Sequence, residues 1–166
     1  MDVRLQRLQG EIASAVAGLS AGQLNWHPPG KWSAAEVLEH LYLTYTGTAK
    51  GFSRILEAGK PQVTAATWRQ RGRRLVVLGL SYLPSGREAP QFTRPRGTSG
   101  EKVQVEIGLR IAEMDDMIAR CEEKFGVRSQ LLDHPILGPL TGGEWRKFHL
   151  VHGLHHVKQI RRLRKG

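Results

Sequence analysis

Four of the seven histidines in this chain fall within eight residues near its C-terminus, and their spacing suits metal binding. His149, His152 and His156 lie on one narrow face of a predicted helix, because an α-helix turns by about 100° per residue. The His152 and His156 pair allows two imidazole nitrogens to converge on one ion without distorting the backbone. His155 projects from the flank of that face. Spacing alone leaves two interpretations open, a metal site and a pair of hydrogen-bonded core histidines.

A third ligand must come from another helix, and His40 is the natural candidate. Ser33 followed by Glu36 is the signature of a capping box, which predicts that a helix begins at Ser33 and carries His40. Three neutral imidazoles leave one coordination position open, as in sites used for Lewis-acid or bound-hydroxide chemistry. Three such rings buried together without partners would cost free energy. The sequence therefore predicts a metal site formed by His40, His152 and His156.

Three further polar residues are candidates for the surroundings of this site. His149 and Gln159 flank the predicted ligands on nearly the same face, and a ligating histidine needs a partner for its second ring nitrogen. We expect at least one of the two to orient a ligand or to line the cavity. Glu36 lies one turn before His40 and has the chemistry of a base, although capping already explains it. His134 precedes a proline in a connector and is interpreted as a turn determinant.

Apolar residues at three- and four-residue steps, together with capping signals, predict the elements that position these histidines. The helices are expected at about residues 5–19, 33–56, 67–82, 103–125 and 141–164. The segment Leu83–Gly100, rich in Pro, Gly and Arg, is expected to form a long loop. No alternating pattern is long enough to predict a sheet. The expected fold is therefore all-α, an up-and-down bundle in one domain over residues 1–166.

Composition limits the classes of function. The N-terminal segment has no hydrophobic signal core and no stretch approaches the ~20 apolar residues of a membrane span, so a cytoplasmic protein without membrane attachment is expected. Cys121 is the only cysteine, which excludes an internal disulfide and a cysteine-based zinc site. The formal charge of +10 lies largely in two clusters without interleaved stacking aromatics. We therefore expect no specific nucleic-acid partner. The clusters are Arg69, Arg71, Arg73 and Arg74, and Lys158, Arg161, Arg162, Arg164 and Lys165.

Three segments carry a resemblance to a known family. The run Trp32–Leu41 resembles the start of the second helix in the DinB/YfiT-like superfamily, and His152–Ile160 is similar to its closing helix, a His-x-x-x-His pattern followed by Gln. The run His134–Thr141, with the Glu144-Trp145 pair after it, resembles a branch catalogued as a domain of unknown function. Lys158 departs from the pattern, because many members carry Gly before that Gln.

The resemblance implies more than the spacing does. Members are four-helix bundles with a long crossover loop, and they typically bind zinc or nickel through three histidines that match His40, His152 and His156. Several relatives form homodimers. Some are thiol-dependent transferases or isomerases that use a low-molecular-weight thiol such as mycothiol or bacillithiol as cosubstrate.

Three functions remain open on the sequence. The leading hypothesis is a metal-dependent enzyme that acts on a small-molecule substrate. It is either a thiol-dependent S-transferase or isomerase, in which the metal lowers the pKa of the thiol, or a hydrolase. The second is a non-catalytic metal-binding or interaction module. The third is a basic protein associated with nucleic acid. The sequence identifies no catalytic residue beyond the predicted ligands.

Overall fold

A computed structural model describes residues 1–84 and 89–164 of the chain. Residues 85–88, which belong to the predicted long loop, and residues 165 and 166 lie outside the described residues. The described chain forms six α-helices, one π-helical turn, one 3₁₀ turn and a two-stranded sheet. In chain order these are α1 (Val3–Val16), α2 (Ala21–Asn25), α3 (Ala34–Ala58), α4 (Trp68–Arg74), the π-helical turn Leu75–Gly79, the 3₁₀ turn Gln91–Thr93, α5 (Gly100–Phe125), β1 (Gln130–His134), β2 (Gly138–Thr141) and α6 (Gly142–Leu163).

Four long helices, α1, α3, α5 and α6, supply most of the hydrophobic core. The largest packing surfaces join α3 to α5 and α1 to α6. The mostly helical fold expected from the sequence is therefore confirmed. The up-and-down order of a four-helix bundle stays a prediction. The largest side chains with no exposed surface include Tyr45, Phe52, Leu5, Leu8, Leu38, Leu41, Ile55, Ile111, Met114 and Ile118.

Capping boxes begin four of the six described helices, namely α2, α3, α4 and α6. In each, a Ser or Thr side chain accepts a hydrogen bond from the third helical N–H, and a Glu or Gln side-chain oxygen accepts one from the backbone N–H of that Ser or Thr. The boxes predicted at Ser33 and Thr141 are confirmed. At the other end, α3 stops at Gly59, whose φ of 68° lies in the left-handed region that favours glycine.

Two helical predictions need correction. The first helix ends at Val16, earlier than the predicted residue 19, and the short α2 follows within a stretch expected to be non-helical. The helix expected over residues 67–82 has two parts, because α4 passes into the π-helical turn at Leu75. There the N–H of Leu80 donates to the carbonyl of Leu75, five residues back. Beyond it, Ser81 adopts a φ of 51°, which ends the helical run.

The expectation of no sheet was wrong, because β1 and β2 form an antiparallel hairpin. The strands have five and four residues, and their buried positions do not alternate, so no period-2 pattern reveals them. His134 is a turn determinant, as expected. Its Nδ1 accepts hydrogen bonds from the backbone N–H groups of Ile136, at 3.1 Å, and Leu137, at 3.2 Å.

The hairpin is tied to the start of α6. The indole N–H of Trp145 donates to the carbonyl of Leu132 in β1, at 3.1 Å. The second strand, β2, ends at Thr141, and α6 begins at the next residue, Gly142. The hairpin therefore fixes where the helix that carries four histidines begins. Among the described residues, no helix is long and apolar enough to cross a membrane.

Candidate metal centre

Three imidazoles from two helices meet at one point. The Nε2 atom of His152 lies 3.3 Å from Nε2 of His40 and 3.2 Å from Nε2 of His156. One ring nitrogen from each histidine falls within 4.8 Å of those of the other two. Among the described residues this is the one group of histidine, cysteine or acidic side chains arranged to hold an ion. The structure therefore brings together the three histidines that the sequence predicted as ligands.

His40 is held by its other ring nitrogen. Nδ1 of His40 lies 2.8 Å from the carbonyl oxygen of Thr93. Because a carbonyl only accepts, Nδ1 must carry the proton, and Nε2 of the neutral ring is then an unprotonated lone pair. The carbonyl of Thr93 is itself fixed by the 3₁₀ turn, where the N–H and the hydroxyl of Thr93 both donate to Pro90.

His156 is oriented in the same way by a side chain. Its Nδ1 lies 3.0 Å from the amide oxygen of Gln159, three residues later on α6. If that oxygen accepts, Nε2 of His156 is also an unprotonated lone pair. Gln159 thus stands where the sequence expected a residue that supports a ligand. Two nitrogen lone pairs then point towards Nε2 of His152.

His152 is held by packing. Its ring stacks on Phe148 with centroids 5.3 Å apart and planes 14° from parallel. Its Nδ1 is buried and has no hydrogen-bond partner among the described residues. The ring of Trp32 lies 5.4 Å from that of His40. Aromatic rings therefore pack against two of the three histidines.

Burial keeps these rings neutral. It lowers the pKa of His40, although the hydrogen bond to Thr93 partly offsets the effect. Burial lowers the pKa of His156 to about 3, and the nearby His40 adds to the shift. The pKa of His152 is held well below its ordinary value by burial first and by its histidine neighbours second. Neutral imidazoles are the form that binds metal ions.

A buried carboxylate next to His40 fastens the loop that holds it. Glu39 is 1 % exposed and accepts hydrogen bonds from the hydroxyl of Thr98, at 2.6 Å, and the N–H of Gly97, at 3.0 Å. Burial acts to raise the pKa of Glu39, but these hydrogen bonds outweigh it and leave that pKa below its ordinary value. We name residues 89–99 the strap. It is bound to α3 at two neighbouring residues, through Thr93 to His40 and through Glu39.

The remaining predicted residues occupy different places. Glu36 lines the same cavity as the cluster, and its carboxylate accepts the N–H of Ser33 at 2.8 Å in the capping box. His149 has no exposed surface and lies between the rings of Trp145 and Tyr45. Neither ring nitrogen of His149 has a hydrogen-bond partner among the described residues. Burial lowers its pKa to about 3.

Sequence reasoning missed three residues of the site. The carbonyl of Thr93 could not be found, because every residue carries a backbone carbonyl. Phe148 stacks on His152 four residues away, a spacing that does place side chains on one face of a helix. The burial of Glu39 could not be found from its neighbour Leu38, because adjacent residues of a helix face different directions.

The cluster opens into a large cavity. About 2450 Å³ of space is bounded by α3, α4, α6, the strap and the hairpin, and His40, His152 and His156 all line it. That volume exceeds the ~300–1,000 Å³ of a typical ligand pocket. A small molecule therefore has room to reach the converging nitrogens.

A family model described as the DinB superfamily matches residues 4–160, a span that includes α3, the strap and the histidines of α6. Comparison with curated proteins and with solved structures returns no match.

Proposed function

This chain belongs to the DinB superfamily, a metal-associated superfamily, and on that premise we propose that His40, His152 and His156 bind one divalent metal ion. Zinc and nickel are the proposed ions, since imidazole suits both. We propose further that the bound ion serves a metal-dependent enzyme that acts on small molecules. The proposed reaction class is transfer or isomerisation that depends on a low-molecular-weight thiol.

The convergence of three Nε2 atoms carries the metal proposal. A tetrahedral ion with metal–nitrogen bonds of about 2.0–2.1 Å separates its ligand nitrogens by about 3.3–3.4 Å. The two Nε2 distances of 3.3 and 3.2 Å are close to that spacing. Nε2 of His40 and Nε2 of His156 each carry an unprotonated lone pair, because Nδ1 of each ring holds the proton. Lone pairs that face one another repel unless a proton or a cation lies between them.

The chain's own residues give this donor set its form. Thr93 and Gln159 hold the Nδ1 protons of His40 and His156, which fixes the tautomer that leaves Nε2 free. Phe148 packs against the ring of His152, and Trp32 packs against the ring of His40. A divalent ion bound there supplies a positive charge that lowers the pKa of a coordinated thiol.

The alternative is a non-catalytic metal-binding module, and the number of ligands argues against it. Structural zinc sites are normally closed by a fourth protein ligand. Among the described residues, no carboxylate or thiol joins the three nitrogens. Cys121 is buried against α3, where its thiol contacts the carbonyl of Phe52. The open cavity beside the cluster favours a small molecule as the fourth partner.

Metal content of single variants tests the site. We expect alanine at His40, His152 or His156 to lower bound zinc or nickel, measured by inductively coupled plasma mass spectrometry, from about one ion per chain to a small fraction. His155→Ala is the matched control, because this ring packs against His156 on the same helix yet lies outside the converging group. Wild-type metal content in all three variants would refute the proposed site.

Cobalt substitution separates the enzyme from the passive module. A small thiol that binds a cobalt-loaded site as thiolate adds a charge-transfer band in the near ultraviolet, and we expect such a band with at least one low-molecular-weight thiol. A cobalt spectrum that does not change with any thiol, together with a fourth protein ligand on the ion, would support the non-catalytic module.

A further inference from the structure

The cavity beside the histidine cluster carries an excess of positive charge. Among the described residues that line it, nine are Lys or Arg and three are Asp or Glu. The cations come from α1, α3, α4, α6, the strap and the loop before α3. They are Arg7, Lys31, Arg54, Arg69, Arg73, Arg94, Lys158, Arg161 and Arg162, and the carboxylates are Glu11, Glu36 and Asp133.

The three carboxylates do not neutralise this excess. Glu11 forms an ion pair with Arg161 at 2.8 Å, which occupies one cation. Glu36 is engaged by the N–H of Ser33 in the capping box. Asp133 accepts hydrogen bonds from the hydroxyl and the N–H of Thr64, at 2.6 and 3.0 Å. Two of the three acids are therefore committed to backbone and hydroxyl donors.

Several cations in the cavity lack an acidic partner. Arg73 on α4 and Lys158 and Arg162 on α6 form no ion pair with any described residue.

Exposed aromatic rings lie among these cations. Trp68, Tyr82 and Phe92 line the cavity with 76, 58 and 60 % of their surface exposed. The guanidinium of Arg69 lies over the Trp68 ring, 5.1 Å from its centroid. A site of this composition offers charge for an anionic group and apolar surface for a carbon skeleton.

We propose that this cavity selects a small organic anion, one that presents a carboxylate or a phosphate to Arg69 and Arg73 and packs its apolar body on the exposed aromatic rings. The inference deepens the proposed function and rests on it only for the reactive end of the molecule, which would face the three histidines. The anionic end is held by the cations whether or not an ion is bound.

Three aromatic probes of similar size test the inference. 1-Naphthoate carries a carboxylate, 1-naphthyl phosphate carries a phosphate, and 1-naphthamide is a neutral analogue of the first. Binding is measured by isothermal titration calorimetry at about 0.15 M salt, on metal-free and on zinc-loaded protein. We expect at least one anion to bind about tenfold or more tightly than the amide in both forms, because hydrogen bonds to charged groups are the stronger ones. The better anion identifies the preferred group.

A pair of double variants locates the selectivity. Arg69→Gln with Arg73→Gln should lower anion affinity about tenfold and leave amide affinity unchanged. Arg71→Gln with Arg128→Gln removes the same charge at exposed positions outside the cavity and should change neither by more than about twofold. All four arginines are exposed, so circular dichroism should show a wild-type fold.

The outcomes separate this inference from the metal proposal. Equal binding of anions and amide, or equal loss in both double variants, overturns the anion inference even if zinc binds normally. Anion selectivity in a chain that takes up no zinc supports the inference and refutes the proposed metal site. If selectivity appears only after zinc is added, the anion binds to the metal ion rather than to the arginines. That result also overturns the inference.

Discussion

Two groups of buried polar side chains lie along the same helix, α6, and they are satisfied in opposite ways. Near its start, Arg146 is 7 % exposed and donates to Asp115 and to Glu122, each at 2.6 Å. Two turns later, His152 and His156 turn their Nε2 atoms towards each other and towards His40. The first group pairs opposite charges inside the chain. The second gathers neutral nitrogens whose lone pairs compete for one position.

The difference separates a structural group from a functional one. A buried network in which every charge has its partner stabilises the fold and needs nothing from outside. A group of nitrogen lone pairs that point at one position is suited to a metal ion, which the chain itself does not supply. Changes in the first group should therefore affect stability and leave metal binding intact. Changes in the second group should weaken metal binding and leave the stability of the metal-free protein intact.

The largest effect is expected in the ionic network. Arg146→Met removes the cation and leaves the buried Asp115 and the partly buried Glu122 without it, which should cost about 3–5 kcal/mol of unfolding free energy. Urea unfolding of the metal-free protein measures the loss. Zinc content of the folded fraction should equal that of wild type. A variant that keeps its stability and loses its metal would contradict the division between the two groups.

Arg161→Met is the control for this change. It breaks the exposed pair with Glu11, in which 46 and 30 % of the two side chains are accessible. Exposed pairs contribute about 0–1 kcal/mol, so this variant should unfold close to wild type.

The next effect concerns His149, a buried imidazole that belongs to neither group. Burial lowers its pKa to about 3, whereas the unfolded chain takes up that proton below about 6.5. The unfolded state therefore binds more protons between these values, and stability falls as the pH falls. We expect His149 to cost wild-type protein about 2 kcal/mol between pH 7 and pH 5, and we expect His149→Leu to lack that cost.

Urea unfolding of the metal-free protein at both pH values measures this difference. His27→Leu, at an exposed histidine, is the control and should unfold like wild type at each pH. Parallel stability curves for wild type and His149→Leu would show that this ring is not held neutral in the fold.

A smaller effect is expected at the strap. Glu39→Gln replaces one acceptor by a donor facing the N–H of Gly97 or the hydroxyl of Thr98, which should loosen the strap and the Thr93 carbonyl that orients His40. Partners of this kind are worth about 10–100-fold in metal affinity. We expect zinc affinity, measured by competition with a chelator, to fall about tenfold.

Glu57→Gln, at an exposed carboxylate on the same helix, should leave zinc affinity unchanged. The tautomer argument for His40 would fail if both variants bound zinc like wild type. It would also fail if Glu39→Gln weakened stability alone, with the cobalt absorption spectrum unaltered.

The long helices could be predicted because their signals repeat. In α5, Val103, Ile107, Ile111 and Met114 recur at three- and four-residue steps and are all buried. The shorter elements could not be predicted, because α2 has five residues and the strands five and four, too few for a period to appear. The π-helical turn could not be predicted either, because its apolar residues, Leu75–Gly79, fit an ordinary helix equally well.

The candidate site could also be predicted only in part. His152 and His156 lie four residues apart in one helix, so their spacing can be read from the sequence, and the cap at Ser33 predicts the helix that carries His40. Which nitrogen of each ring is free depends on Thr93 and Gln159. The carbonyl of Thr93 leaves no trace in the sequence, whereas Gln159 could be anticipated from its place one turn after His156.

The capping boxes set the rotational phase of the two helices that carry the cluster. Ser33 stands seven positions before His40, and Thr141 stands eleven before His152 and fifteen before His156. One residue inserted between a cap and the first cluster histidine of its helix would turn the imidazoles beyond it by about 100° around the helix axis, away from those on the other helix. An insertion on the far side of the cap, in the loop before Ser33 or in the turn between the strands, changes no such angle. Length variation in this fold should therefore be tolerated before the caps and excluded from the intervals that follow them.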